Sequence, residues 1–320
     1  MAKVYQTVDD AISQVRSQLD ELNVDAVDDV RDILPAMNRA QDYATQIYAS
    51  RYPEPILTYT TLDLISGQAE YAIPEDSFED NITKLEITIA GAQREIHRVS
   101  YRDISNYESS SRTNLPYYYA IVGRRIRMIP TPTGVYNARL WYLRQPETLV
   151  RQQGRVTHIN TAGNYVLVDA IGPDVTTQSD KLTSYVNVVD GQTGFIRGTL
   201  QVQSIAGNKV TFRSSPIRST VLNRDISSSL TADMVSEDDY LAPIQGTCVV
   251  QFGVPTTNFI IQFAVNDMTR KLGGAAELEA DVLSQFEKQV ERVWVGREQT
   301  VRVKKRSQSF GVPTRRWFVE

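Results

Sequence analysis

Near the start of the chain, apolar residues recur at helical spacing. Val8, Ile12, Val15, Leu19 and Leu22 step by four and three, which puts them on one face of a helix. Thr7 stands where its hydroxyl can cap the first turn. A second helical stretch carries Val27, Val30, Leu34, Met37, Ala44, Ile47 and Tyr48 on its stripe. Pro35 interrupts it, and because proline lacks a backbone donor and crowds the preceding turn, a kink or a break is expected there. The helix is expected to end before Arg51-Tyr52-Pro53-Glu54-Pro55, since a residue preceding proline is pushed out of the helical region.

From Ile56 the period changes to two. Ile56, Thr58 and Thr60, then Ile82, Leu85, Ile87 and Ile89, alternate as half-buried strands do. Gly91 offers a turn into Arg94–Val99, and Gly123 offers another between Tyr117–Val122 and Arg125–Ile129, so both read as hairpins. After Pro130-Thr131-Pro132-Thr133-Gly134 a strand returns over Ala138–Leu143, with Leu140 and Tyr142 on one face and Trp141 on the other.

From Arg151 to Pro243 the chain turns to Ser, Thr, Asn, Val and Gly with frequent turn signals, the composition of an inserted β-rich domain. Gly163-Asn164 and Gly207-Asn208 each separate two strand-like runs, and Asp190-Gly191 is a third turn signal. Helical spacing resumes with Ile260, Phe263, Ala264, Met268 and Leu272, capped by Thr256 or Thr257 and stopped by Gly273-Gly274. A further helix carries Leu278, Val282, Phe286, Val290, Val293 and Trp294. The expected fold is α+β: N- and C-terminal helices forming a helical bundle, a central antiparallel β-sheet region with an inserted β-rich domain, and an extended C-terminal tail. The corresponding bounds are 1–54, 55–150, 151–243, 244–306 and 307–320.

Charge sharpens this picture. The first 32 residues hold eight acids against three bases, whereas residues 297–316 hold seven bases against Glu298, an asymmetry that suits oriented contacts with partners or two solvated faces. The net charge of −4 argues against a broad DNA-binding surface. No apolar run approaches the roughly 20 residues of a membrane span, and the start lacks the order of a secretory signal, so folding in a cytoplasm is expected. Lone Cys248 reads as a small buried thiol.

Candidate chemistry is sparse. The chain has neither GxxxxGK[ST] nor GxGxxG for phosphates, nor GxSxG for a nucleophile. One cysteine and two separated histidines, His97 and His158, cannot supply a zinc site, and both histidines read as strand-face residues. The acid pairs Asp9-Asp10, Asp28-Asp29 and Asp238-Asp239 read as helix-start charges rather than opposed catalytic carboxylates. Neither an enzyme nor a cofactor is expected. The tail is different: Phe310, Arg315, Arg316, Trp317 and Phe318 are of the residue types that anchor interfaces. They either dock into another protein or fold back on the chain's own surface.

An ordered series gives the reading a direction. Ser66-Gly67-Gln68-Ala69-Glu70-Tyr71-Ala72-Ile73-Pro74, Tyr101-Arg102-Asp103-Ile104-Ser105, Pro116-Tyr117-Tyr118-Tyr119-Ala120-Ile121-Val122-Gly123, Ile129-Pro130-Thr131-Pro132 and Leu140-Trp141-Tyr142 together resemble the head-to-tail adaptor (connector) proteins of tailed bacteriophages, especially short-tailed ones. The resemblance covers residues 1–145 and the helices after 255, while the 151–243 segment departs from the compact form. It implies a structural virion protein at the head–tail junction, forming a ring, commonly twelve-fold, beneath the portal protein. Such a ring binds a downstream tail or nozzle protein and lets genomic DNA pass through its lumen during ejection. It also implies that the C-terminal segment embraces the portal. The alternative is a carbohydrate- or receptor-binding β module of a phage tail, on the strength of Tyr117, Tyr118, Tyr119, Tyr136 and Tyr142.

Overall fold

In a computed structural model, helix α1 (Val8–Leu19) begins as its spacing predicts: the Thr7 hydroxyl accepts from the Asp10 N–H at 3.1 Å, and Val8, Ala11, Ile12 and Val15 are buried. The structure describes residues 6–19, 26–110, 115–172, 185–213, 217–218, 225–226, 230–231, 234–244, 246–273 and 280–292. It divides into two compact units, one of Tyr43–Glu147 and one of Met1–Asp42 with Thr148–Glu320.

The second helical stretch departs from the expected single stripe. Asp28 caps a π-helical turn at Asp29–Ile33, its carboxylate accepting from the N–H groups of Val30 and Arg31. Helix α2 (Leu34–Arg51) continues directly from it with Pro35 in its first turn, so the wider π turn falls where a proline, lacking a donor and crowding the preceding turn, disturbs a helix. A π turn takes up an extra residue, so the apolar phase slips. Ile33, Met37, Ala40 and Ala44 become fully buried, while Val30, expected on the stripe, is 58% exposed.

In the unit Tyr43–Glu147, strands β1 (Leu57–Leu64), β2 (Glu70–Ala72), β3 (Ser77–Ile89), β4 (Ala92–Arg98), β5 (Tyr118–Val122), β6 (Arg125–Ile129) and β7 (Tyr136–Arg144) make one seven-stranded sheet, ordered β1-β7-β3-β4-β5-β6-β2. The expected antiparallel pattern holds except between β4 and β5, which run parallel. A parallel neighbour needs a crossover, and a 3-10 turn at Tyr101–Asp103 with helix α3 (Ile104–Ser110) supplies it. Residues from all seven strands, among them Leu62, Tyr71, Leu85, Ile96, Tyr119, Ile126 and Leu140, share one core. The register shifts between Ile82 and Lys84. This bulge keeps Ile82 and Leu85 on the same face despite their odd spacing. The β3–β4 hairpin turns at Ala90 (φ 50) and Gly91 (φ 82), a two-residue turn with both central residues left-handed.

Further along, β8 (Gly154–Asn160), β9 (Tyr165–Val168), β10 (Tyr185–Val189), β11 (Ile196–Ala206) and β12 (Lys209–Phe212) are followed by a small ribbon of β13 (Ile217–Arg218) and β14 (Asp225–Ile226), and then by β15 (Tyr240–Pro243). Six of these strands close a barrel in the order β10-β11-β12-β9-β8-β15. Because β9 lies beside β12 rather than beside β10, β9 to β12 form a Greek key. The Gly163-Asn164 and Gly207-Asn208 signals both sit between paired strands. Asp190-Gly191 opens a longer loop whose left-handed residue is Gly194 (φ 72). There the Asp190 carboxylate accepts from the N–H groups of Gln192 and Thr193. Val156, Val166, Val188, Leu200, Val210 and Phe212 fill the barrel. Buried Asn187 donates its amide to the carbonyls of Pro243 (3.3 Å), Ile244 (2.9 Å) and Gly246 (3.2 Å), and accepts from the Thr199 hydroxyl at 2.7 Å.

The barrel's entry and exit strands lie side by side. Leu149 and Thr247 form a parallel bridge, with Val150 N–H donating to Thr247 C=O and Thr247 N–H to Thr148 C=O, both at 2.9 Å. On the other side Thr7 bridges Val249 antiparallel, tying in the start of α1. Cys248, fully buried here, has its thiol pushed up out of its ordinary titration range by desolvation.

Helix α4 (Val254–Lys271) is capped by Gly253, not by Thr256 or Thr257. Pro255 in the first turn sets the start, and the two threonines are buried within the helix. Residues 280–292 form α5, where Val282, Phe286 and Val290 are buried. The Phe286 ring stacks on Phe259 of α4 with centroids 4.1 Å apart. Helix α4 also packs on α1, with Gln262 Nε2 donating to Gln18 Oε1 at 2.9 Å. Arg39 of α2 pairs with Asp267 of α4 at 2.7 Å. Leu22, Leu278, Val293 and Trp294 lie outside the described residues.

Candidate partner interface

The core takes one side of the seven-stranded sheet, and strand alternation then dictates the other side. Across β1, β7 and β3 the cross-strand register sets Tyr59 beside Trp141 and Trp141 beside Lys84, and sets Thr61 beside Arg139 and Arg139 beside Glu86. This outer face gathers tyrosine, tryptophan and arginine, the types enriched where binding energy concentrates. The Tyr59 and Trp141 rings lie 4.9 Å apart at 47°, and the Arg139 guanidinium sits 4.6 Å from the Tyr59 ring centre. A tilted aromatic pair contributes about 0.5–1.5 kcal/mol beyond its buried area, and an exposed cation–π contact about 0.5–1 kcal/mol.

Charge fixes the same group from below. Trp141 Nε1–H donates to Glu86 Oε2 at 2.9 Å, and Lys84 Nζ lies 2.6 Å from Glu86 Oε1. The Lys84 hydrogen bond, then that of Trp141, holds the Glu86 carboxyl below its ordinary range, and Glu86 in turn raises the Lys84 ammonium. Tyr59 remains 50% exposed, so the ring is displayed although its neighbours hold it in place.

Beside this cluster runs an open sheet edge. β1 is terminal in the strand order and, among the described residues, pairs with β7 alone. Its register with β7 is unbroken from Leu57↔Leu143 to Leu64↔Tyr136. The Arg144 N–H donates to the Ile56 carbonyl at 2.7 Å, which marks that pair as hydrogen-bonded. Antiparallel alternation then turns the backbone groups of Thr58, Thr60 and Leu62 toward β7 and those of Leu57, Tyr59, Thr61 and Asp63 toward the open side. Among the described residues none pairs with that side.

The residues singled out in the sequence fall in varied places. Phe310, Arg315, Arg316, Trp317 and Phe318 lie outside the described residues. Of the tyrosines offered for stacking on sugars, Tyr119 and Tyr142 are 3% and 5% exposed in the sheet core, and Tyr136 packs against that core. Tyr118 lies against Tyr107 of α3, and Tyr117 alone of the five is more than one-third exposed. They are therefore not displayed together as a stacking platform. His97 and His158 are exposed strand residues. Asp9-Asp10 and Asp28-Asp29 do stand at helix starts, whereas Asp238-Asp239 lies in a turn before strand β15 and starts no helix; Asp239 is buried there, accepting from the N–H groups of Ser236 and Gly191. Among the described residues no group of three or more His, Cys, Asp or Glu could hold a metal ion, and no helix is long and apolar enough to cross a membrane. Tyr59 and Arg139 were missed as a site. The signal for them was parity: both share the face of Trp141, opposite Leu140 and Tyr142.

An exposed Tyr59 held by half-buried Trp141 and Arg139, next to a strand edge that is open among the described residues, suits a protein that works through contacts with other chains, the class to which the phage adaptor resemblance also points. The model of the SU10 adaptor protein family matches residues 6–172, from α1 through the whole seven-stranded sheet into the first barrel hairpin. The chain belongs to that family. No curated protein matches it.

Proposed function

We propose that this chain is a structural virion protein that joins the portal to the tail as a head-to-tail adaptor. The observation that carries the reading is the family match over residues 6–172. Copies assemble as a twelve-fold ring beneath the portal, with α1, α2, α4 and α5 forming a helical bundle that packs subunit to subunit. The ring encloses a channel for genomic DNA, read without sequence preference, and the net charge of −4 suits a wall that lets DNA slide. The 151–243 segment, whose strands close the barrel, serves as an inserted domain that meets a downstream tail or nozzle protein. The tail, through Phe310, Arg315, Arg316, Trp317 and Phe318, engages the portal.

Electron microscopy of the purified chain with its cognate portal tests the proposal. A ring of the chain seated on the portal is expected, and deletion of residues 307–320 is expected to weaken the complex by at least tenfold, as loss of an aromatic and arginine anchor does. Absence of any complex with the portal overturns the adaptor reading, whereas unchanged binding by the truncated chain overturns only the role of the tail.

A further inference from the structure

An open strand edge is recognised by another strand, and the pattern on β1 selects which one. We propose that β1 is a self-recognition edge: two copies of this chain pair antiparallel along Leu57–Asp63 about a two-fold axis at Thr60. Edge-to-edge pairing must match residues whose backbone groups point outward in both copies. Centring on Thr60 meets that condition, because Leu57 then faces Asp63 of the second copy and Tyr59 faces its Thr61, all four having outward groups. At the intervening positions Thr58 faces Leu62, and Thr60 faces itself.

The side chains agree with this register. Tyr59 against Thr61 is an aromatic and β-branched pair of the kind that stabilises antiparallel neighbours. Asp63 is the only charged residue in β1 and meets a leucine, so no like charges oppose one another. Proline, lysine and bulges, which blunt many strand edges, are absent from β1. The other edge of the sheet, β2, spans only Glu70–Ala72 and is blunted by its shortness. Pairing at β1 also brings the Tyr59, Arg139 and Trp141 clusters of both copies alongside the seam and takes the exposed face of Tyr59 out of water. An isologous contact of this kind saturates itself at two copies. If the adaptor reading holds, the pair is a closed storage form that must open before a ring assembles.

The test uses the full chain alone, without portal. Light scattering during size exclusion is expected to give the mass of two chains, falling to one on dilution. Hydrogen exchange over residues 56–65 is expected to rise in the same dilution. Thr61→Pro removes only a donor that faces away from β7, so it is expected to give the mass of one chain at every concentration while keeping the far-ultraviolet circular dichroism of the parent. Thr61→Lys, which adds an edge charge without touching the backbone, is expected to act in the same direction and decides the matter if the proline variant fails to fold. A parent mass other than two chains overturns the proposal, as does a two-chain mass that persists in either folded variant. Ring formation on the portal is read separately, so the two ideas fail independently.

Discussion

The seven-stranded sheet and the six-stranded barrel are built from the same alternation of apolar and polar residues, yet they end differently. The barrel closes on itself, β15 pairing with both β10 and β8, so each of its six strands has a neighbouring strand on both sides. The sheet stops at β1 and β2 and, among the described residues, leaves one long edge unpaired. Their surfaces follow suit: beside its edge the sheet displays Tyr59 at 50% exposure within a cluster of aromatic and charged residues. Closure makes a region self-sufficient, whereas an open edge leaves recognition capacity to be used by another chain.

Five substitutions probe that contrast, in falling order of effect. Phe212→Ala removes a barrel side chain that is 1% exposed and is expected to destabilise by about 3–5 kcal/mol. Urea melting reads the loss, and hydrogen exchange is expected to place it in the barrel strands while leaving β3 and β7 of the sheet unchanged. Equal loss of protection in both regions would show that they do not unfold as distinct units. Asn187→Ala removes the amide that serves the Ile244 and Gly246 carbonyls and shares that of Pro243 with the Gly246 N–H, with an expected cost of about 2 kcal/mol. A cost near zero, read in the same melts, would mean that water replaces the amide.

The tight hairpins make a matched pair. In the sheet Ala90 holds φ 50, and in the barrel Gly207 holds φ 58. A left-handed residue with a Cβ costs about 1–2 kcal/mol, so Ala90→Gly is expected to stabilise by about 1 kcal/mol and Gly207→Ala to destabilise by a similar amount. Thermal melting that moves both the same way would break the symmetry. The smallest effect concerns pH. Glu86 is held below its ordinary range by Lys84 and Trp141, so its contribution is present above the unfolded carboxylate value of 4.5 and is lost as pH falls through the lower folded value. Glu86→Gln is therefore expected to cost less than about 1 kcal/mol at neutral pH, as solvent-screened pairs do, and to melt together with the parent once pH drops below that folded value.

Much of this was legible in the residues themselves. Thr7 and its helix, the turns at Gly91, Gly123, Gly163-Asn164 and Gly207-Asn208, and the inward set of Leu140 and Tyr142 all follow from spacing and local chemistry. The π turn at Asp29–Ile33 was not legible, because a one-residue slip leaves every apolar residue plausible and is settled only by what Ile33 and Val30 meet in three dimensions. The cap at Gly253 was hidden behind two threonines whose burial against neighbours outweighs their capping preference. Closure of the barrel depends on β15 finding β8 and β10 across long stretches of sequence, which no local pattern encodes. The open edge of β1 was equally hidden, since an edge is defined by the strand that is missing beside it.

The neck of the barrel has a mechanical consequence. The strand entering at Thr148–Val150 and the strand leaving at Thr247–Val249 run parallel, so a pull applied between their outer ends, at Thr148 and Gln251, slides one along the other. Their hydrogen bonds are then loaded together in shear rather than peeled one at a time. The N-terminal bridge from Thr7 to Val249 adds a third strand to the same joint. A tug on the chain flanking the barrel is thus resisted first at this small three-stranded seam, before any strand within the barrel feels it.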